Sequence, residues 1–212
     1  MKALVIGATG ATGKDLVTVL LNDPAYTEIV IFVRKFNNIN HPKLKEILTD
    51  FENLENVTEY IAGDILFSCL GTTAKAAGSE EKQWHIDHEI PLNFAKIARK
   101  KRVSKIVLLS AYGSSKNSRV VYSKIKGKLE DDIDKLGFEQ YIIFRPASLL
   151  RKDTDRGDER MIIPILNFIS SFGVLKKFRP LSTELLAEKL AKSPKVLLDG
   201  KYIIELDKIF NF

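Results

Sequence analysis

The chain has 212 residues, 45% hydrophobic and 28% charged, with 33 Lys plus Arg against 27 Asp plus Glu and a net charge of +6. That length suits one domain, or one with a small appendage, whose core needs no staples. Twelve glycines, seven prolines and a single cysteine exclude collagenous, low-complexity and disulfide-scaffold classes.

The modest basic excess suits phosphorylated ligands and falls short of a nucleic-acid signature. The clusters Arg99-Lys100-Lys101-Arg102 and Lys176-Lys177 with Arg179 read as solvated helix ends. The longest apolar stretch, residues 161–175, contains Pro164, Asn167 and Gly173 and is too short and interrupted to span a bilayer. No secretory signal precedes the first apolar run, and Cys69 lies in an apolar run as an inert core thiol. A soluble protein of the cytoplasm is the expectation, with no membrane or nucleic-acid partner and an open oligomeric state.

In chain order, short apolar runs at residues 3–6, 29–33, 65–70, 106–109 and 141–144 alternate with helical periods. Residues 14–21 and 92–98 carry apolar side chains at helical spacing, and 120–136 form a long helix closed by Gly137. A weaker strand falls at 46–51. Runs apolar on both faces belong to strands covered on both sides, so the pattern predicts a doubly wound parallel α/β sheet. After residue 150 the rhythm breaks into a charged loop, 151–160. A helix at 161–172, an amphipathic helix at 183–191 and a late strand at 201–206 follow. The expected organisation is a dinucleotide-binding core, 1–150, and a small substrate cap, 151–212, in one domain.

The strongest motif is the turn Gly7-Ala8-Thr9-Gly10-Ala11-Thr12-Gly13, directly after a strand and before a helix. Gly7 permits the tight bend, Gly10 lets backbone N–H groups approach a pyrophosphate, and Gly13 permits close helix-to-strand packing. The helix N-terminus then faces the anion. A nucleoside-triphosphate P-loop is excluded by Ala8 and Asp15, where glycine and Ser or Thr are required. At the end of the second strand stand Arg34 and Lys35, with no carboxylate until Glu46. Two cations there favour a 2′-phosphate, hence NADP(H) over NAD(H).

Tyr122 and Lys126 form a Y-x-x-x-K pair one helical turn apart, and Ser110 ends the strand before them. The types suit proton transfer to a carbonyl oxygen: Tyr122 as acid and base, Lys126 stabilising its phenolate, and Ser110 holding the substrate oxygen. His85 and His88 lack companions for a metal shell and read as surface helix, and Trp84 and Phe94 as packing residues. No metal is expected.

Together these residues resemble the atypical short-chain dehydrogenases/reductases of the NAD(P)-binding Rossmann type, and within them the Tat-interactive oxidoreductase family. The resemblance rests on the glycine turn, Asp50-Phe51, Cys69-Leu70-Gly71-Thr72-Thr73, Leu108-Leu109-Ser110, Tyr122 with Lys126-Gly127, and Phe144-Arg145-Pro146. It implies an adenine contact at Asp50-Phe51 and cofactor ribose and phosphates against Leu70, Gly71 and Thr72. It also implies Lys126 on a ribose and Pro146 beside the nicotinamide. Where a serine pair is usual this chain has Ser110-Ala111, with Ser114 or Ser115 as substitutes, and Ala147 follows Arg-Pro in place of Gly. The expected function is a carbonyl reductase or dehydrogenase acting on a small carbonyl or alcohol. The alternatives are an NADPH-sensing regulatory protein with a protein partner and no turnover, and a sugar-nucleotide epimerase or dehydratase, for which the C-terminal segment is short.

Overall fold

In the computed structural model, which describes residues 1–150 and 178–212, the apolar runs assemble into one seven-stranded sheet with every neighbouring pair parallel. The strands are β1 (Lys2–Ile6), β2 (Glu28–Val33), β3 (Leu44–Leu48), β4 (Ile65–Ser68), β5 (Lys105–Leu109), β6 (Gln140–Arg145) and β9 (Gly200–Glu205). Their order is β3-β2-β1-β4-β5-β6-β9. The chain steps outward from β1 to β3 and then returns to the other side of β1. The carboxyl ends of β1 and β4 therefore flank the switch point, where an open sheet leaves a crevice.

Strand side chains alternate between faces, and each face has its own helices. On one face Ala3, Val5, Ile29 and Ile31 pack with Leu16, Val17 and Leu20 of α1 (Ala11–Asn22) and Leu186, Ala187 and Leu190 of α6 (Thr183–Val196). On the other, Leu4, Ile6, Val30 and Phe32 meet Phe94, Ala95 and Ala98 of α4 (Ile90–Lys100) and Leu129 and Ile133 of α5 (Val121–Asp134). Each leucine fully buried in this way contributes roughly 2 kcal/mol relative to exposure. The expected doubly wound fold is the fold found.

Several boundaries differ from the expectation. α1 starts at Ala11 because Gly10 caps it, and β4 ends at Ser68, with Cys69 and Leu70 peeling away into the crevice. β3 runs earlier than 46–51. Asp50 Oδ1 accepts from Glu52 N (3.0 Å) and Asn53 N (3.3 Å), turning the chain, and Phe51 sits at φ +67°. The helix expected at 92–98 is longer. Two short helices, α2 (Ala74–Ala77) and α3 (Glu80–Trp84), precede it, and a π-turn (His85–Glu89) joins α3 to α4. Polar residues hide this helix's period, while Ser79 caps it by accepting from Lys82 N at 3.2 Å.

The described C-terminal residues join the layers of the core. β9 pairs with β6 along its length, and α6 packs on α1, where Tyr26 Oη donates to Ala191 O at 2.7 Å. A sheet edge strand and a core helix are layers of the domain, and apolar matching to β6 and α1 draws them there. A 3-10 helix (Glu55–Tyr60), a two-stranded pair, β7 (Leu149–Leu150) with β8 (Leu181–Ser182), and a terminal helix, α7 (Lys208–Asn211), complete the described elements. The expected loop 151–160, helix 161–172 and Lys176-Lys177 pair lie outside the described residues.

Candidate functional site

The glycine turn is built by contact with its neighbours. Gly7 takes φ +79°, and a Cβ there would stand 2.5 Å from the Cys69 carbonyl carbon. Gly13 lies inside the first turn of α1, where a Cβ would fall 2.0 Å from Gly7 O. Gly10 differs: its Cβ position is open except for Gly7 O at 3.4 Å, and it caps α1 without a side-chain hydrogen bond. The backbone at that helix start therefore faces open space, as a pyrophosphate cradle requires. The residues present fit a dinucleotide.

Two adjoining cavities run along the carboxyl ends of the strands. The larger, about 860 Å³, is lined by Gly7, Thr9, Gly10, Arg34, Lys35, Asp50 and Phe51. The smaller, about 570 Å³, is lined by Ala11, Thr12, Ser110, Tyr122 and Lys126. Gly10, Cys69, Leu70, Gly71 and Thr72 border both. Gly13 and Pro146 line neither: Gly13 lies under the turn, and Pro146 is buried after β6 with its carbonyl accepting from Tyr112 N at 2.9 Å.

Arg34 and Lys35 are exposed, and among the described residues neither makes an ion pair. The nearby carboxylate of Glu46 is engaged elsewhere, accepting from Asn37 N at 2.8 Å and Ile39 N at 3.1 Å. His85 also borders the larger cavity, with Nε2 3.0 Å from Glu52 and Nδ1 2.7 Å from Glu89, and these carboxylates raise its pKa. His88 is buried against Trp84 and bonds Asp132 at 3.0 Å. Among the described residues no group of three or more His, Cys, Asp or Glu is placed to hold a metal ion.

In the smaller cavity Lys126 Nζ lies 6.0 Å from the Tyr122 ring centroid and donates to Leu70 O at 2.9 Å. Burial lowers the pKa of Lys126, opposed by Asp87, Cys69 and Glu130. Gly127 follows it because a Cβ would strike Ser115, 2.3 Å from its carbonyl carbon. Ser110 behaves otherwise than expected. Its hydroxyl donates to Glu130 Oε1 and sits 3.1 Å from Ser114 Oγ, while Glu130 accepts from Arg145 Nε at 3.1 Å. Ser114 donates to Ala111 O at 2.7 Å, and neither it nor Ser115 lines the cavity. Cys69 borders both cavities, but burial pushes its thiol up to about 12, so it stays protonated and unreactive.

Three site residues escaped the sequence reading. Glu130 accepts the hydrogen bond from the Ser110 hydroxyl. Asp87 Oδ1 accepts from Thr72 N at 2.7 Å, and Gln83 donates to Thr72 O at 3.5 Å. Nothing in their local sequence marks them, since each meets its partner across the fold.

The model of a family described as NAD(P)H-binding matches residues 7–164. Among curated relatives, the mitochondrial protein FMP52 of Saccharomyces cerevisiae is 32% identical over 160 residues, covering 73% of this chain and 68% of its own. The FMP52 protein of Candida albicans is 36% identical over 156 residues, covering 71% and 68%. Neither name is that of a Tat-interactive protein. Both relatives are named mitochondrial, which overturns the cytoplasmic expectation; a lone reduced thiol does not discriminate between compartments that both keep thiols reduced.

Solved structures agree on the fold. A UDP-glucose 4-epimerase from Thermotoga maritima superposes with TM-score 0.73 at 15% identity, covering 97% of this chain and 76% of that one. An oxidoreductase from Lactococcus lactis gives 0.70 at 18% identity, covering 95% and 89%. With a Rossmann-type sheet, a glycine cradle at its switch point and a family match over most of its length, the chain belongs to the NAD(P)H-binding family.

Proposed function

We propose that this protein is an NADP(H)-dependent oxidoreductase of the atypical short-chain dehydrogenase/reductase type, interconverting a small carbonyl compound and its alcohol. One observation carries the reading: Tyr122, Lys126 and Ser110 line a cavity that shares Gly10, Leu70, Gly71 and Thr72 with the cavity over the glycine turn. NADPH held there would supply the hydride for reduction of a carbonyl carbon, with a proton going to its oxygen, so that alcohol and NADP⁺ would result. Tyr122 gives that proton from its phenolic oxygen, and the Lys126 ammonium favours the phenolate left behind.

The remaining roles follow the chain. Backbone N–H groups of the turn from Gly7 to Gly13, with Thr9, Ala11 and Thr12, hold the pyrophosphate at the start of α1. Arg34 and Lys35, without carboxylate partners, hold a 2′-phosphate and favour NADP(H) over NAD(H). Asp50 and Phe51 contact the adenine and Lys126 a ribose, as the resemblance implies, while Pro146, which lines neither cavity, backs the site from behind. The narrower kinship to Tat-interactive oxidoreductases rests on the motifs alone.

A second reading has its own support. The Ser110 hydroxyl is committed to Glu130, which suits a protein that binds NADPH and a protein partner and turns nothing over. One experiment separates the two: NADPH oxidation by the purified protein against a panel of aliphatic and aromatic aldehydes and ketones, with NADPH affinity measured alongside. Turnover that falls at least about 100-fold in Tyr122→Phe, at unchanged affinity, supports the enzyme. Tight NADPH binding with no oxidation across the panel overturns it in favour of the sensor.

A further inference from the structure

Asp87 is fully buried beneath the Gly71-Thr72 loop, where an uncompensated carboxylate is strongly disfavoured. Its Oδ1 accepts from Thr72 N at 2.7 Å, while Oδ2 has no hydrogen-bond partner among the described residues. Across the same loop lies Lys126, 2% exposed, with Nζ on Leu70 O at 2.9 Å and 3.5 Å from where a Gly71 Cβ would stand. The stretch that borders both cavities is thus gripped between a buried ammonium and a buried carboxylate.

Burial lowers the pKa of Lys126, and three acidic groups oppose this through their charge: Asp87, Cys69 and, from its own helix, Glu130. Cys69 is protonated, because burial pushes its thiol up to about 12. Glu130 is occupied by Arg145, through Nε at 3.1 Å and Nη2 at 2.5 Å, and by Ser110. Asp87 alone keeps an oxygen without a hydrogen bond. Burial raises the pKa of Asp87, and the charge of Lys126 with hydrogen bonds from Thr72 N–H and Gln83 opposes this, so among the described residues Lys126 is the cation that favours its carboxylate. The π-turn His85–Glu89 carries Asp87 and buries it together with His88, and such an inserted residue inside a helix is common at functional sites.

We propose that Asp87 is the buried counter-ion of Lys126 and a positioning residue for the cofactor-facing loop: one carboxylate oxygen holds Thr72, and the carboxylate charge keeps Lys126 protonated. This rests on the reading that Lys126 faces bound cofactor, but the pairing itself requires no turnover. Asp87→Asn separates the two tasks, since the amide oxygen still accepts from Thr72 while the charge is gone.

The test is a pH titration of the full chain, with lysine Cε carbons labelled and followed by NMR. The Lys126 signal is assigned by its loss in Lys126→Met. In Asp87→Asn the Lys126 midpoint falls by a unit or more, about a tenfold loss of proton affinity. NADPH affinity in Asp87→Asn declines at lower pH than in wild type as the pH rises. An unchanged Lys126 titration overturns the proposal. Should Asp87→Asn fail to fold, the double variant with Lys126→Met decides: recovered folding supports the pairing, and a double variant that stays unfolded refutes it. Failure of the functional reading looks different, because wild type would then bind no NADPH at any pH while the lysine titration still shifts.

Discussion

Ser110 donates its hydroxyl hydrogen bond to Glu130 in the interior of the domain, and Arg145 grips the same carboxylate through Nε and Nη2. A serine has one proton to donate, so while Glu130 holds it Ser110 has none for a substrate oxygen. Glu130→Gln breaks this pair from one side and leaves Arg145 with Glu205 at 3.5 Å. Loss of one partner of a buried pair costs about 3–5 kcal/mol, and the remaining Glu205 contact puts the expected loss near about 3 kcal/mol. Urea unfolding measures it, and an unchanged midpoint would show that the pair contributes nothing.

The glycines of the turn separate folding from binding. Gly13→Ala puts a methyl 2.0 Å from Gly7 O and forces the first turn of α1 off β1, a loss of at least about 3 kcal/mol. Gly10→Ala meets only Gly7 O at 3.4 Å, so its stability stays within about 1 kcal/mol of wild type while NADPH affinity drops. Thermal melts and cofactor titrations on both variants check the contrast. Equal effects of the two on stability would refute it.

Arg34→Ala is expected to weaken NADPH binding about tenfold, the worth of one charge-assisted hydrogen bond to a phosphate, and to leave NADH binding unchanged. The comparison of the two cofactors matters more than either value. A variant that keeps its preference for NADPH would move the 2′-phosphate elsewhere.

Asp132 makes part of the stability pH-dependent. Burial raises its pKa, but bonds from Lys128, Lys135 and His88 outweigh this and hold the carboxyl well below its ordinary 3.8. A pKa lower in the folded state stabilises above the unfolded value and loses that contribution as the pH falls through the folded one. Wild type should therefore exceed Asp132→Asn in melting temperature by a constant margin above about pH 5, and the margin should shrink as the pH drops below about 4. Parallel melting curves down to about pH 2.5 would exclude this.

Much of the fold is legible because strands and crossover helices write their burial into local periodicity. Residues 3–6, 29–33 and 106–109 lie within β1, β2 and β5, and the glycine turn needs neighbours only a few residues away. Residues 85–88 read as surface helix, and the helix is there, but the burial of Asp87 and His88 is not legible because residues 80–89 are mostly polar without period and their inner face is chosen by packing across the fold. The strand at 200–205 was visible as a strand but not as the seventh member of the sheet, since its partner β6 lies some 60 residues earlier and pairing across such a gap leaves no local mark.

What the chain settled by itself is the class of molecule: a parallel sheet wound on both faces, with a backbone cradle for a pyrophosphate after its first strand. These depend on interactions short in sequence, where residue type and spacing suffice. Only the tertiary structure decided which carboxylate answers which cation. Asp87 reaches Thr72 and faces Lys126, and Glu130 claims Ser110 and Arg145, because folding removes water from groups far apart in the chain. A buried charge must then find its partner wherever the packing has brought one.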